Sequence, residues 1–141
     1  MSRIVWNVRQ SIEIIRSLGK EGVVKYLCIA FQDQEKLDAY SDDEFGEIMA
    51  RVQLYLEELR SHGNLIDASR LQPATSGAVI RVRGGAMAIT DGPFVETREQ
   101  IAGYYLIEAN DLNDAIRIAA KSPSAHLGTV EVRPLKELGP R

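Results

Sequence analysis

Two arginines one residue apart, Arg81 and Arg83, stand in a strand-forming run that turns back at Gly84-Gly85. A two-residue glycine turn between apolar runs reads as a hairpin. In that register Arg81 lies opposite Ala88 and Arg83 opposite Ala86, with Val79 and Thr90 on the same face. Ile80, Val82, Met87 and Ile89 take the other face. Guanidinium groups opposite alanines have room to lie flat and hold a carboxylate or phosphate through paired hydrogen bonds. Glu131 and Arg133 share one face of a later strand in the same way. A sheet face carrying Arg81, Arg83, Glu131 and Arg133 is a candidate floor for a small anionic ligand. The same pattern also suits a solvated face knit by cross-strand ion pairs.

Asp91-Gly92-Pro93-Phe94 leaves the hairpin directly. Gly92-Pro93 imposes a tight turn, because the residue before proline avoids the helical region and glycine tolerates unusual angles. Asp91 either caps that turn with its side chain or serves as a base or ligand contact. Phe94 is expected to anchor the loop in the core or on a neighbouring chain. His62 and His126 are the only histidines, hence the only side chains that titrate near neutrality unperturbed. His62 falls at a helix end, and His126, in the loop before the last strand, is the candidate for a cleft edge or else an incidental loop residue. Acid–base chemistry would fall to Asp91 or His126, with an arginine holding the anion. Cys28 is the one cysteine and is flanked by apolar residues, so it reads as a small buried hydrophobe. No metal-spaced histidine cluster, phosphate loop or dinucleotide glycine motif is present, so no metal or cofactor is expected.

The elements that must position these groups follow from periodicity. Residues 24–31 are a short run of strand formers, with Leu27, Ile29 and Phe31 on one face and Tyr26, Cys28 and Ala30 on the other; a polar loop follows to Tyr40. Ser41 and Glu44 form a capping box. Phe45, Ile48, Met49, Val52, Tyr55, Leu56 and Leu59 then recur at helical spacing, and His62-Gly63 ends the helix. Residues 64–70 read as a strand, 79–83 and 86–90 as the hairpin, and 101–109 as another strand. A second helix over 111–121 has Leu112, Ala115, Ile116 and Ala119 inward and breaks at Ser122-Pro123. A last strand covers 129–135. The order describes an α+β, ferredoxin-like split βαβ arrangement with an antiparallel sheet and an embellished centre.

Residues 1–22 stand apart as a helical extension to the domain over 23–141. Ile4, Val8, Ile12 and Ile15 recur at helical spacing, and Gly19 and Gly22 end the pattern. It reads as a docking helix, an accessory helix packed on its own domain, or translated upstream sequence. Its interspersed charges exclude a signal peptide or membrane span. The 141-residue chain carries a net charge of −3 with 45% apolar and 26% charged residues, which suits one soluble domain. A nucleic-acid partner is disfavoured because acidic residues outnumber basic ones. With one cysteine and no leader, a cytoplasmic location is expected.

The run from Ala88 to Gln100, followed by Gly103-Tyr104-Tyr105-Leu106-Ile107, closely resembles the DGPF branch of the YCII-related domain family. Leu71-Gln72-Pro73, Val82-Arg83 and Val130-Glu131-Val132-Arg133-Pro134 are similar to that branch at corresponding places. The likeness covers residues 24–135. It implies the dimeric α/β-barrel version of the ferredoxin-like fold, in which two sheets pack face to face, so a homodimer is the expected assembly. It implies no known reaction. The family's YCII branch has been suspected of activity through a histidine on the first helix paired with an aspartate. Here Arg51, Val52, Gln53 and Tyr55 occupy that stretch, with no histidine before His62, so that dyad is not carried over. The leading expectation is a homodimeric small-molecule-binding protein, an enzyme or not, for a small anionic metabolite. The alternative is a non-enzymatic regulatory or interaction module, since some DGPF proteins accompany extracytoplasmic-type sigma factors.

Overall fold

The computed structural model describes residues 8–9 and 22–137 of the chain. The amphipathic helix expected over residues 1–22 thus lies outside the described residues except at Val8 and Arg9, which are helical.

Strand β1 (Val24–Asp33) is the centre of the fold. It pairs antiparallel with β5 (Glu99–Ala109) on one side and β6 (Thr129–Pro134) on the other. β2 (Leu65–Arg70) lines the outer edge of β5, giving the order β2-β5-β1-β6, which is the ferredoxin-like arrangement. Alternation decides what each face does. Tyr26, Cys28, Ala30, Tyr105, Ile107 and Ala109 are buried beneath the helices, whereas Leu27, Ile29 and Leu106, on the opposite face, are only partly covered.

Helix α2 (Asp42–Ser61) begins on the expected capping box, with Ser41 Oγ accepting from Glu44 N–H and Glu44 accepting from Ser41 N–H, both at 3.1 Å. It ends at His62, after which Gly63 turns left-handed at φ +80°. Of its apolar stripe, Ile48, Tyr55 and Leu59 are buried, and Phe45, Met49, Val52 and Leu56 are half-buried. Two short elements differ from the expected loops. A first helix, α1 (Gln34–Ala39), precedes α2 because Asp33 ends β1 and caps Glu35 N–H at 3.0 Å. Ser122-Pro123 breaks α3 (Leu112–Ala119) and at once starts α4 (Pro123–Leu127), with Ser122 as N-cap and proline in the first turn. His126 therefore sits in a helix.

The inward stripe of α3 also differs. Ala115, Ile118 and Ala119 are buried, whereas Leu112 and Ile116 stay 46% and 49% exposed. The stripe runs Ala115, Ile118, Ala119, Ser122, and its two alanines let the helix approach the sheet closely.

The hairpin forms as its turn residues dictate. β3 (Ala78–Arg83) and β4 (Ala86–Asp91) pair with Arg81 opposite Ala88 and Arg83 opposite Ala86. Gly84 and Gly85 both take positive φ, the signature of a type I′ turn. The hairpin is a separate two-stranded sheet that shares no strand pairing with the other four. Among the described residues no helix is long and apolar enough to cross a membrane.

Candidate functional site

The charged residues singled out by the sequence are spread over distinct parts of the fold. Arg81 and Arg83 project from the isolated hairpin. Arg81 stacks on Phe94, 5.1 Å from the ring centroid, and Arg83 donates to the Val82 carbonyl at 2.9 Å. Phe94 is 65% exposed, so it anchors an arginine rather than the core. Asp91 ends β4 in solvent, and the turn after it is closed by Gly92 N–H donating to the Gly77 carbonyl at 3.0 Å. Glu131 and Arg133 share the open face of β6 and pair with each other at 2.6 Å. His126 Nε2 donates to the Ala120 carbonyl at 3.0 Å. Among the described residues no hydrogen bond or ion pair is found between the hairpin arginines and the β6 pair, and none of these six residues lines either of the two hollows described below. Among the described residues no three His, Cys, Asp or Glu side chains are grouped to hold a metal ion.

The hollow of interest lies between α2 and the sheet, and its volume is about 430 Å³. Its origin is legible in the strand register. Ala30, Gly103 and Arg70 align across β1, β5 and β2, and Cys28, Tyr105 and Ala68 form the next row of the same face. At three of these six positions, Ala30, Gly103 and Ala68, the side chain is a hydrogen or a methyl. A layer packed face to face on a sheet sits about 10 Å away, too far for such side chains to fill the gap. Gly103 is required by close approach, because a β-carbon there would stand 2.7 Å from the Ser69 carbonyl oxygen. The roof is Phe45, Ile48, Met49, Val52 and Leu56 of α2, which explains why all of these but Ile48 are only half-buried. Leu37 and Leu127 close the sides.

Polar groups enter this apolar slot at two places. At its rim the Arg70 guanidinium lies over the Phe45 ring, 5.2 Å from the centroid. That contact fixes a cation without neutralising it. At its inner end stand Tyr55, Tyr105 and Ser122, all buried. Tyr55 and Tyr105 meet edge to face, with centroids 5.8 Å apart at 81°. The Tyr55 hydroxyl donates to the Ile118 carbonyl at 2.8 Å, and the Ser122 hydroxyl donates to the Ala119 carbonyl at 2.8 Å. The Tyr105 hydroxyl is buried and makes no hydrogen bond of ordinary geometry, although the Ser122 and Tyr55 hydroxyls and the Cys28 thiol stand beside it as weak partners. Burial, and then the neighbouring Cys28, push the Tyr105 phenol up to about 12. Burial likewise raises Tyr55, and it holds Cys28 up at about 12, so the thiol stays neutral and is no nucleophile. Gln32 reaches the wall from β1, its amide donating to the Ser124 carbonyl at 3.1 Å.

A second hollow of about 460 Å³ lies beside the loop after the hairpin, lined by Asp33, Glu35, Pro73, Pro93, Glu96 and Arg98 among others. Its walls are tied by Gln100, whose amide donates to the Val95 and Thr97 carbonyls at 2.9 and 2.7 Å. Sequence reading of charge pairs did not find Arg70, Tyr105 or Ser122. The available signals were a polar-tipped aromatic, Tyr55, inside an apolar helical stripe, and small residues (Ala30, Ala68, Gly103) recurring in strands.

The family model of the YCII-related domain matches residues 24–139. An uncharacterised protein of Rhizobium meliloti (strain 1021) is 33% identical over 112 residues, which cover 78% of this chain and 90% of that relative. The chain belongs to the YCII-related domain family.

Proposed function

We propose that the protein is a homodimeric small-molecule-binding protein whose ligand, a small organic anion, occupies the hollow between α2 and the sheet. The observation that carries this reading is the slot itself: an apolar volume of about 430 Å³ with one cation at its rim, Arg70, that pairs with no carboxylate among the described residues. Pockets of this size and polarity suit small metabolites. The lining holds no histidine or carboxylate, so nothing in it changes charge near neutrality. That favours binding over acid–base turnover. Dimerisation is supported by the second face of the sheet, where Leu27, Ile29, Phe31 and Leu106, all partly buried, lie between Lys25 and Glu108 at one end and Glu131 and Arg133 at one edge. An apolar sheet face of this kind calls for a cover.

A thermal-shift screen of small carboxylates and phosphates tests the site. A ligand at a hundred times its Kd adds about 2.7 kcal/mol, which is several degrees for a domain of this size. The shift is expected in the wild type and in Arg81→Ala, and it is expected to vanish in Ala68→Leu, which fills the slot. Equal shifts in Ala68→Leu and wild type, or loss in Arg81→Ala, refute the assignment. Light scattering is expected to give twice the chain mass, falling to one chain mass for Leu106→Arg. A monomeric wild type refutes the dimer.

A further inference from the structure

All the charge of the slot lies at one end. Arg70, at the rim, is the one charged side chain in its lining, and among the described residues no carboxylate pairs with it. Its position over the Phe45 ring leaves it a cation in need of an anion. A guanidinium carries its N–H groups in one plane, so it meets a planar carboxylate through two of them at once. Inward from Arg70 the walls ask for the opposite chemistry. The inner end holds three hydroxyl-bearing residues, yet it offers a ligand no donor. Tyr55 spends its proton on the Ile118 carbonyl and Ser122 spends its own on the Ala119 carbonyl. The Tyr105 hydroxyl oxygen is closed off from the hollow altogether. On the wall, the Gln32 amide donates to the Ser124 carbonyl. A charged group carried to the inner end would be buried without partners, which costs far more than it returns. A methyl or methylene group loses nothing there and gains its transfer out of water. Met49, unbranched and in the middle of the roof stripe, adapts its shape to whatever hydrocarbon lies beneath it.

We infer, building on the cavity assignment above, that the ligand is a hydrocarbon monocarboxylate, an acid whose one polar group is its carboxylate. The carboxylate lies on Arg70, and the hydrocarbon body lies between the α2 roof and the floor of Ala30, Ala68 and Gly103. Arg70 contributes charge-assisted affinity, and the donor-free inner end selects against any second polar group.

A homologous series tests this in calorimetric titrations of the full chain: butanoate, hexanoate, octanoate and decanoate, with the neutral octanamide and the dicarboxylate suberate beside them. In the wild type, affinity is expected to rise about fourfold per methylene, hence about fifteenfold per probe, until the slot is full. Suberate, which is octanoate with a second carboxylate at its far end, is expected to bind at least about a hundredfold more weakly than octanoate. Arg70→Met, which keeps an apolar stem at the rim, is expected to weaken octanoate at least about tenfold and leave octanamide unchanged. Ala68→Leu, checked for native melting, is expected to flatten the series. A flat series in the wild type, suberate bound as tightly as octanoate, octanoate unaffected by Arg70→Met, or no binding of octanoate at millimolar concentration overturns the inference. The wild-type readings need no variant, so they decide the matter even where Ala68→Leu fails to fold. If more polar anions bind and lose that binding in folded Ala68→Leu, the hydrocarbon class falls while the cavity stands. If nothing that binds responds to that variant, both fall.

Discussion

Tyr55 and Tyr105 offer a matched pair of perturbations, because the same atom is removed from two touching rings in opposite circumstances. Tyr55→Phe deletes a hydroxyl that donates to the Ile118 carbonyl at 2.8 Å. That carbonyl keeps two other donors, the backbone N–H groups of Ala120 and Lys121, so no acceptor is orphaned. The expected loss is therefore the net worth of one hydrogen bond, about 1 kcal/mol, which is a fall of roughly 3–6 °C in Tm for a domain of this size. Tyr105→Phe deletes a buried hydroxyl that makes no hydrogen bond of ordinary geometry, with Ser122, Tyr55 and Cys28 only beside it. Less is lost with it, and the cost of holding a poorly satisfied polar atom, of order 1 kcal/mol, is relieved. The melting temperature is expected to stay level or rise.

The comparison is robust because both variants make the same chemical change in the unfolded chain, so that reference cancels in their difference. Both also keep the edge-to-face ring contact. Calorimetric melting of the ligand-free protein, with urea unfolding as a second measure, reads the effect. The refuting result is a Tyr105→Phe variant destabilised as much as Tyr55→Phe. It would mean that the Tyr105 hydroxyl is well bonded within the protein, through Ser122, Tyr55 or Cys28. A double variant close to the sum of the singles would further show that the two hydroxyls do not bond each other.

Other consequences are simpler. Ser41→Ala removes the hydroxyl half of the capping box and leaves only the backbone N–H of residue 41 on Glu44, so a loss of about 1 kcal/mol in chemical unfolding is expected. Gly103→Ala forces β2 away from β5 against the 2.7 Å approach to Ser69, which should cost about 1–3 kcal/mol and abolish ligand-induced stabilisation together. The Cys28 thiol has a folded pKa raised by burial to about 12, so the stability it confers is complete below the ordinary thiol titration and is lost as pH rises towards 12. Unfolding free energy should therefore fall with rising pH from about 9, before unfolded tyrosines titrate near 10, and Cys28→Ala should flatten that fall.

Local rules carried far in this chain. The capping box, the Gly63 stop and the Gly84-Gly85 turn each depend on a few neighbouring residues, and each appears where its residues predict it. The hairpin register followed from the turn alone, down to Arg81 opposite Ala88. The misreadings occur where two neighbouring patterns compete. On α3, Leu112 and Ile116 outweigh Ala115 and Ala119 by hydrophobicity, yet the alanines face in, because a short helix gains more from close approach to the sheet than from two larger residues held at a distance. At Ser122-Pro123 the residues that stop one helix are also those that start the next.

The site was harder to read for a different reason. Charges advertise themselves in a sequence, and Arg81, Arg83, Glu131 and Arg133 do so strongly. Their spacing along strands says which face they share, but not whether two sheets meet; here the hairpin pairs with neither β2 nor β6. A cavity advertises itself only by what is missing. Ala30, Ala68 and Gly103 are unremarkable singly and are distant in sequence. They become a floor only when β1, β2 and β5 bring them into adjacent rows, and that pairing is non-local information. Arg70 gains meaning the same way. At the end of β2 it reads as an ordinary surface cation, until the register sets it opposite a glycine and beneath Phe45. Were Ala30 and Ala68 leucine or valine, the same fold would bury a fuller core and leave Arg70 no slot to guard. The substitution pattern across these three strands, small where packing alone would favour large, is thus the point at which stability has been given up for an opening.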